Sequence, residues 1–275
     1  MDRLDAACIA ALVRVPELEV RVVERCSSTN ALLLGEKTSH PLLLAAEEQS
    51  AGRGQRGRRW RSARGAGATF SIARRMHCAP RQLAGLSLAV GVATARALRA
   101  LGAGDVALKW PNDLLAGGGR AGANQAAAKL GGILIETRLQ GRDIAAVVGI
   151  GINCRSVRAL AKRLRRRLVA LDDLVRPAPA RNTVIAAVAR EVLAALESWE
   201  TAGLQAFAGE WRAPHAHEGR RLRVRLADGS TVSGIAAGIA PSGALRLRAS
   251  GQIRAPASGR IVEVASGRIL SASAA

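Results

Sequence analysis

The chain has 275 residues, 49% apolar and 23% charged, which suits a globular protein with one substantial core and room for a small second domain, and excludes a disordered chain. Basic side chains number 41 against 21 acidic, and the net charge of +20 favours anionic partners without choosing among nucleic acid, membrane and acidic protein. Two Phe, four Trp and no Tyr leave few rings to stack on bases, so specific DNA binding is not expected.

Cys8, Cys26, Cys78 and Cys154 are scattered without CxxC spacing, and His77, His215 and His217 lack the spacing that would join them in a metal site. No secretory leader is apparent, and no apolar run approaches the ~20 residues that span a bilayer. The expectation is a cytoplasmic protein with reduced thiols and no membrane contact.

In chain order, residues 42–47 read as a short buried strand, and so do residues 68–73. Between them, residues 52–61 are rich in Gly and Arg and too polar for a core. Residues 82–101 place Leu83, Leu86, Val90, Leu98 and Leu101 at helical spacing, and Gly102 supplies the stop. Residues 106–110 read as a strand that ends at Pro111, which cannot donate to a ladder. Residues 130–136 and 145–153 are two more strands, joined through Gly141 and Arg142.

The Gly-rich stretch from Ala116 to Ala128 reads as a mobile loop, although its Ala run could form a helical turn. Residues 157–169 form an amphipathic segment loaded with Arg158, Lys162, Arg163, Arg165, Arg166 and Arg167. It is either a solvated helix face or an attractant for an acidic partner. Residues 183–201 read as a helix with Asn182 as N-cap and Gly203 at its end. From Pro214 the pattern turns to alternation, with an Asp228-Gly229 hairpin signal and short strands at 221–226, 231–235, 243–248 and 252–254. That suggests a small barrel, and a division into domains 1–213 and 214–275.

Four segments carry polar chemistry. Ser28, Thr29 and Asn30 supply groups that both donate and accept, suited to a small polar ligand or to an N-cap. The stretch from Gln49 through Gly52, Arg53, Gly54, Gln55, Arg56, Gly57 and Arg58 to Trp60 joins glycines to cations. It reads as an anion-binding loop or a solvated basic hairpin, and it is not a Walker A loop. Lys109-Trp110-Pro111-Asn112-Asp113 is a strand end that turns sharply. Lys129 leads a buried strand containing Gly131 and Gly132, and Gly149-Ile150-Gly151-Ile152-Asn153 follows.

In this order and spacing, SSTN, QxAGRGxxGRxW, KWPND, KLGGILIE and GIGIN resemble the biotin–protein ligase family. The likeness resumes at Arg181-Asn182-Thr183 and continues into the last segment. The resemblance implies an α+β fold. Its parts are a central mixed β-sheet with flanking helices, like class II aminoacyl-tRNA synthetases, and a small C-terminal SH3-like β-barrel. It implies an ATP-dependent ligase that forms biotinyl-5′-AMP and passes biotin to a lysine of a biotin carboxyl carrier protein domain. ATP, Mg²⁺ and biotin are the implied small molecules, and a homodimer is left open.

Carried over by motif, Lys129 is the implied catalytic residue. Ser28, Thr29, Asn30, Gln49, Gly52, Arg53, Gly54, Gln55 and Gly132 are implied for biotin. Arg53, Gln55, Arg56, Arg58, Trp60, Asn112, Lys129 and Asn153 are implied for ATP and the adenylate, with Mg²⁺ held by phosphates and by Asn112 and Asn153. Where the family usually has Arg, this chain has Gln55, and Ala128 stands where a basic residue is common; both imply a weaker grip on the adenylate or ATP. With SSTN at residues 27–30, the N-terminal winged helix of some members is not expected. A lipoate or octanoate ligase is the alternative enzyme, and a basic biotin-responsive DNA repressor the alternative of another class. GRGxxG and KWPND favour biotin.

Overall fold

The computed structural model of the chain describes residues 2–37, 39–117, 127–141, 143–212, 215–249 and 261–273. It opens on α1 (Ala6–Val13), whose cap Asp5 accepts the Cys8 N–H at 2.6 Å, and β1 (Glu19–Cys26), neither of them foreseen from the sequence. Next come α2 (Thr29–Gly35), β2 (Leu42–Gln49), β3 (Gly67–Met76), α3 (Leu86–Ala100), β4 (Ala107–Lys109), β5 (Asp113–Ala116), β6 (Ala128–Gln140) and β7 (Asp143–Asn153). Helices α4 (Arg158–Leu164), α5 (Leu171–Leu174), α6 (Arg181–Ala202) and α7 (Gln205–Arg212) follow. The chain closes with β8 (Arg221–Arg225), β9 (Thr231–Ile239), β10 (Leu245–Ala249), β11 (Ile261–Val264) and β12 (Arg268–Ser273).

Seven strands form one sheet in the order β1-β2-β3-β7-β6-β5-β4, with β1 and β2 parallel and every other neighbouring pair antiparallel. Five strands form a second, antiparallel sheet in the order β11-β10-β9-β8-β12. The expected α+β class, a mixed sheet with helices and a small C-terminal β unit, is therefore what the chain adopts.

Strand alternation decides what each face of the large sheet does. Phe70, Ile72, Val148, Ile150 and Ile152 turn one way and pack with Val90, Val184 and Val188 of α3 and α6 in the main core. Thr69, Ser71, Gly149 and Gly151 fall on the other face, where α2 lies. The stretch Pro80–Ala100 has the length and composition of a membrane-crossing helix, but Leu88, Val90, Ala93 and Leu98 are sealed inside the domain, as befits a core helix.

A buried ion cluster ties the chain's start to α6. Arg181, only 1% exposed, donates to both Glu47 oxygens at 2.7 and 3.1 Å and to Asp2, and Glu47 also accepts the Leu4 N–H at 2.7 Å. Burial alone would raise the Glu47 carboxyl. The bonds from Arg181 and Leu4, with the Arg181 charge, instead hold it below the usual carboxylate range. Asp2 behaves alike, its burial offset by the Arg181 N–H and by the charges of Arg155 and Arg181.

The two sheets meet at β4. The Ala216 N–H donates to Leu108 O at 2.8 Å, and the buried Trp110 indole donates to Gly243 O at 3.1 Å.

Several sequence expectations need correction. Helix α6 begins at Arg181 with Ala180 at the cap position, because Asn182 is committed elsewhere: it accepts the Asp5 N–H at 3.2 Å and donates to Arg3 O at 3.1 Å. Only Arg158–Leu164 of the basic segment is helical; Arg165, with φ of 50°, ends it. Strand β4 is shorter than expected. Turn residue Arg142, boundary residue Pro214, residues 118–126 of the Gly-rich stretch and the strand expected at 252–254 lie outside the described residues.

Candidate functional site

A cleft opens on the sheet face that carries α2, floored by β3, β7 and β6. The alternation that sends Phe70 and Ile72 into the core leaves Ser71 on the opposite face, buried beneath Thr29 and Asn30, where it anchors a polar network. The Ser71 hydroxyl donates to Asn30 Oδ1 at 2.6 Å and lies 2.6 Å from the Thr29 hydroxyl. Gln49 Oε1 accepts both the Thr29 N–H, at 2.7 Å, and its hydroxyl, at 3.1 Å. Asn30 Nδ2 donates to Leu134 O at 3.2 Å and to Glu136 at 3.0 Å. Ser28 serves as the N-cap of α2, accepting the Ala31 N–H, and it also lines the cleft.

The glycines of β7 make the space. A Cβ at Gly149 would collide with the Asn30 amide, and one at Gly151 with the Trp60 indole. The small residues in an otherwise apolar strand thus mark where other side chains lie flat on the sheet.

Lys129 enters this cleft because of a β-bulge. On β5, Leu114 faces Gly131 but Leu115 faces Lys129, so Leu130 is the extra residue on β6. The bulge shifts the alternation, which puts Lys129 on the same face as Gly132 while Leu130 remains in the core. A Cβ at Gly132 would stand 3.3 Å from Lys129 Nζ. The ammonium pairs with Asp113, at the end of KWPND, and lies 5.9 Å from the Trp60 ring centroid. Behind it, burial pushes the Lys109 ammonium down; Asp113 opposes that shift, and Lys129, Arg268 and Arg58 add to it.

The basic loop arches over the cleft as a narrow ribbon. Trp60 N–H donates to Gly52 O at 2.9 Å, and Gly54 N–H to Arg58 O at 2.7 Å. Arg56 sits at its tip with φ of 58°. Arg53 reaches across to Glu136 at 2.6 Å and fastens the loop to β6. Arg58, Arg59 and Arg166 also line the cleft. All 21 acidic residues of the chain lie within the described residues, and none forms an ion pair with these three arginines. Burial and the charge of Arg268 push the Arg58 guanidinium down. Asp113 opposes this, and Arg166 and Arg56 contribute further lowering.

Of the residues singled out from the sequence, Ser28, Thr29, Asn30, Gln49, Arg53, Gly54, Gln55, Arg58, Trp60, Asn112, Lys129 and Gly132 line this one cleft. Gly52, Arg56 and Asn153 do not. Gly52 is buried against Gln49 and the Trp60 carbonyl, where a Cβ would stand 2.9 and 2.7 Å from them, so it shapes the loop rather than the cleft wall. Asn153, 3% exposed, donates to Lys129 O at 3.3 Å and to Val169 O at 3.1 Å, and so brackets the backbone that carries Lys129. Sequence reasoning missed Ser71, Asp113 and Arg166 as site residues. Two hydroxyls, Thr69 and Ser71, alternating with apolar residues in β3 were the available signal for Ser71.

Residues 22–153 match the Biotin/lipoate A/B protein ligase family, and residues 217–262 match the Biotin protein ligase C terminal domain. The chain is similar to the bifunctional ligase/repressor BirA of Escherichia coli, with 36% identity over 232 residues, covering 83% of this chain and 68% of that protein. It is equally similar to the biotin–[acetyl-CoA-carboxylase] ligase of Mycobacterium tuberculosis, 36% identical over 237 residues and 83% of each chain. In fold it resembles the biotin protein ligase from Aquifex aeolicus in complex with biotin and ATP. The TM-score is 0.73 at 24% identity, over 93% of this chain and 99% of that one.

Proposed function

The chain belongs to the biotin–protein ligase family, and from that premise we propose how its cleft joins biotin to a protein lysine. It is an ATP-dependent biotin–protein ligase. A carboxylate oxygen of biotin attacks the α-phosphorus of ATP, pyrophosphate leaves, and biotinyl-5′-AMP remains. The amine of an acceptor lysine then attacks the acyl carbon, AMP leaves, and a proton is lost as the amide forms. The acceptor is a biotin carboxyl carrier protein domain of a carboxylase.

Both partners in the first step are anions, so a fixed cation between them lowers the barrier most. Lys129 supplies that cation, and its pairing with Asp113 over Gly132 is the observation that carries the reading. An ammonium held by one carboxylate is already oriented and loses little freedom when substrate arrives. The network of Thr29, Asn30, Gln49 and Ser71 matches the donors and acceptors of biotin's ureido head. Gln55, Arg58 and Trp60 face the adenylate from the loop, which Arg53 closes through Glu136.

Mg²⁺ takes oxygen donors and retains phosphate and water ligands. Asn112 fits such an ion: its amide nitrogen is engaged by Ile133 O at 2.6 Å, which leaves the oxygen for a cation. Asn153 is less suited, since it is buried and lies outside the cleft lining, where its amide nitrogen supports the backbone of Lys129 and Val169. When bound, the ion would neutralise charge on the departing pyrophosphate.

Incubating the chain with radiolabelled biotin, ATP and Mg²⁺ tests the reading. Labelled adenylate is expected, followed by label on an acceptor domain. Absence of adenylate overturns it, and adenylation of lipoate in preference to biotin would move the chain to the other branch of the family.

A further inference from the structure

The arginine-rich run after β7 has no role in the reaction as described so far. Its helical part carries Arg158, Lys162 and Arg163 into solvent. Beyond the left-handed Arg165 the chain doubles back, with the Arg166 N–H donating to Ala161 O at 3.1 Å. It then runs beside the start of β6. Lys129 N–H donates to Arg167 O at 3.0 Å, and Val169 N–H to Lys129 O at 3.1 Å. These bonds fix residues 167–169 to the residue that carries the reactive ammonium, and Arg166, just before them, lies in the cleft lining with Arg58 and Lys129.

The charges there do not balance. Asp113 is taken by Lys129, Glu136 is taken by Arg53, and among the described residues neither Arg58 nor Arg166 forms an ion pair with a carboxylate. Arg268 of the C-terminal sheet adds a third positive charge felt by Arg58. Like charges gathered at one rim repel one another, offset only in part by Asp113, and a multiply charged anion relieves this. Lys129 sits over Gly132 on the sheet, whereas Arg58 and Arg166, which line the same cleft, are exposed to solvent.

We propose that Arg166, together with Arg58, holds the β- and γ-phosphates of ATP and hence the pyrophosphate that departs. Planar guanidinium groups suit bidentate contact with phosphate oxygens. The assignment rests on the ligase reading and gives the arginine run a place in it. One residue of the run serves the reaction, and its exposed neighbours on α4 do not.

The test uses the full chain carrying Arg166→Gln, with Arg163→Gln as the neighbouring control. Arg166→Gln should raise the KM for ATP about tenfold or more, with a smaller change in kcat, and weaken inhibition by inorganic pyrophosphate by a similar factor. Its melting temperature and its biotin Kd without ATP should match wild type. Transfer from synthetic biotinyl-5′-AMP, which has no β- or γ-phosphate, should also be unchanged, and Arg166→Lys should recover part of the ATP affinity. The proposal is overturned if Arg166→Gln shifts ATP KM and pyrophosphate inhibition no more than Arg163→Gln does, or if transfer from the synthetic adenylate falls in parallel. A wild-type chain that makes no adenylate would overturn the ligase reading itself, whereas a competent ligase indifferent to Arg166 overturns this proposal alone.

Discussion

Arg181 and Arg166 are the same side chain in opposite surroundings. Arg181 is sealed in the fold, and two carboxylates, Glu47 and Asp2, answer its charge; Arg166 stands at the cleft rim with none. A buried cation must be neutralised within the chain, because desolvating it unpaired costs far more than folding can offset. A rim cation stays hydrated, so its charge can be left for a ligand. Arg181 thus serves the fold, whereas the charge of Arg166 is left open to a ligand.

The sharpest way to break this contrast is Arg181→Met. It strands Glu47 without its partner and should cost about 3–5 kcal/mol in denaturant unfolding, whereas Arg166→Gln should stay within roughly 0.5 kcal/mol of wild type. Equal effects at the two positions would abolish the distinction. The same cluster sets an acid limit. Glu47 and Asp2 are held below their ordinary values of 4.5 and 3.8, so their contribution is complete above those values and is lost as pH falls through the lower folded ones. Stability from these groups should therefore be flat near neutrality and fall below pH 4.5, and Glu47→Gln should make that acid limb shallower.

Next in size is Lys129→Ala, which removes a cation from the reacting centre. Adenylate formation should slow by about 10²–10³-fold while the thermal melt changes little, since the side chain is partly exposed. Undiminished adenylation would mean that the ammonium over Gly132 is a bystander.

Gly149→Ala tests the uncharged floor. The new methyl must displace the Asn30 amide, so biotin affinity measured by calorimetry should drop about tenfold or more, with roughly 1–3 kcal/mol of strain in stability. Unchanged biotin binding would mean that Asn30 is not a biotin contact.

Smallest is Gln55→Arg, which adds a cation beside Arg58 and Arg166. Release of biotinyl-AMP should slow by about tenfold or less. If release is unaltered, the uncharged amide at this position is not what loosens the adenylate.

The sequence on its own determined much of this protein, because local chemistry was enough. The apolar runs that became β2, β3, β6 and β7, the polar Ser28, Thr29, Asn30 and Gln49, the glycine-rich basic loop and Lys129 could all be named without coordinates. Residue type and spacing carry that information. Helix α1, strand β1 and short β5 were not legible, since their stability comes from packing on α6 and pairing with β2 and β6 rather than from a strong local pattern.

Only the tertiary structure decided which way the key groups point. The bulge at Leu130 turns Lys129 into the cleft, and that depends on register against β5, about which β6 says nothing by itself. Asn153 became a bracket for Lys129 because Val169 returns to meet it. Arg166 reached the cleft because the residues that follow it, Arg167 and Val169, are bonded to Lys129 on β6. Each outcome rests on hydrogen bonds between segments far apart in the chain, and no window of neighbouring residues contains them.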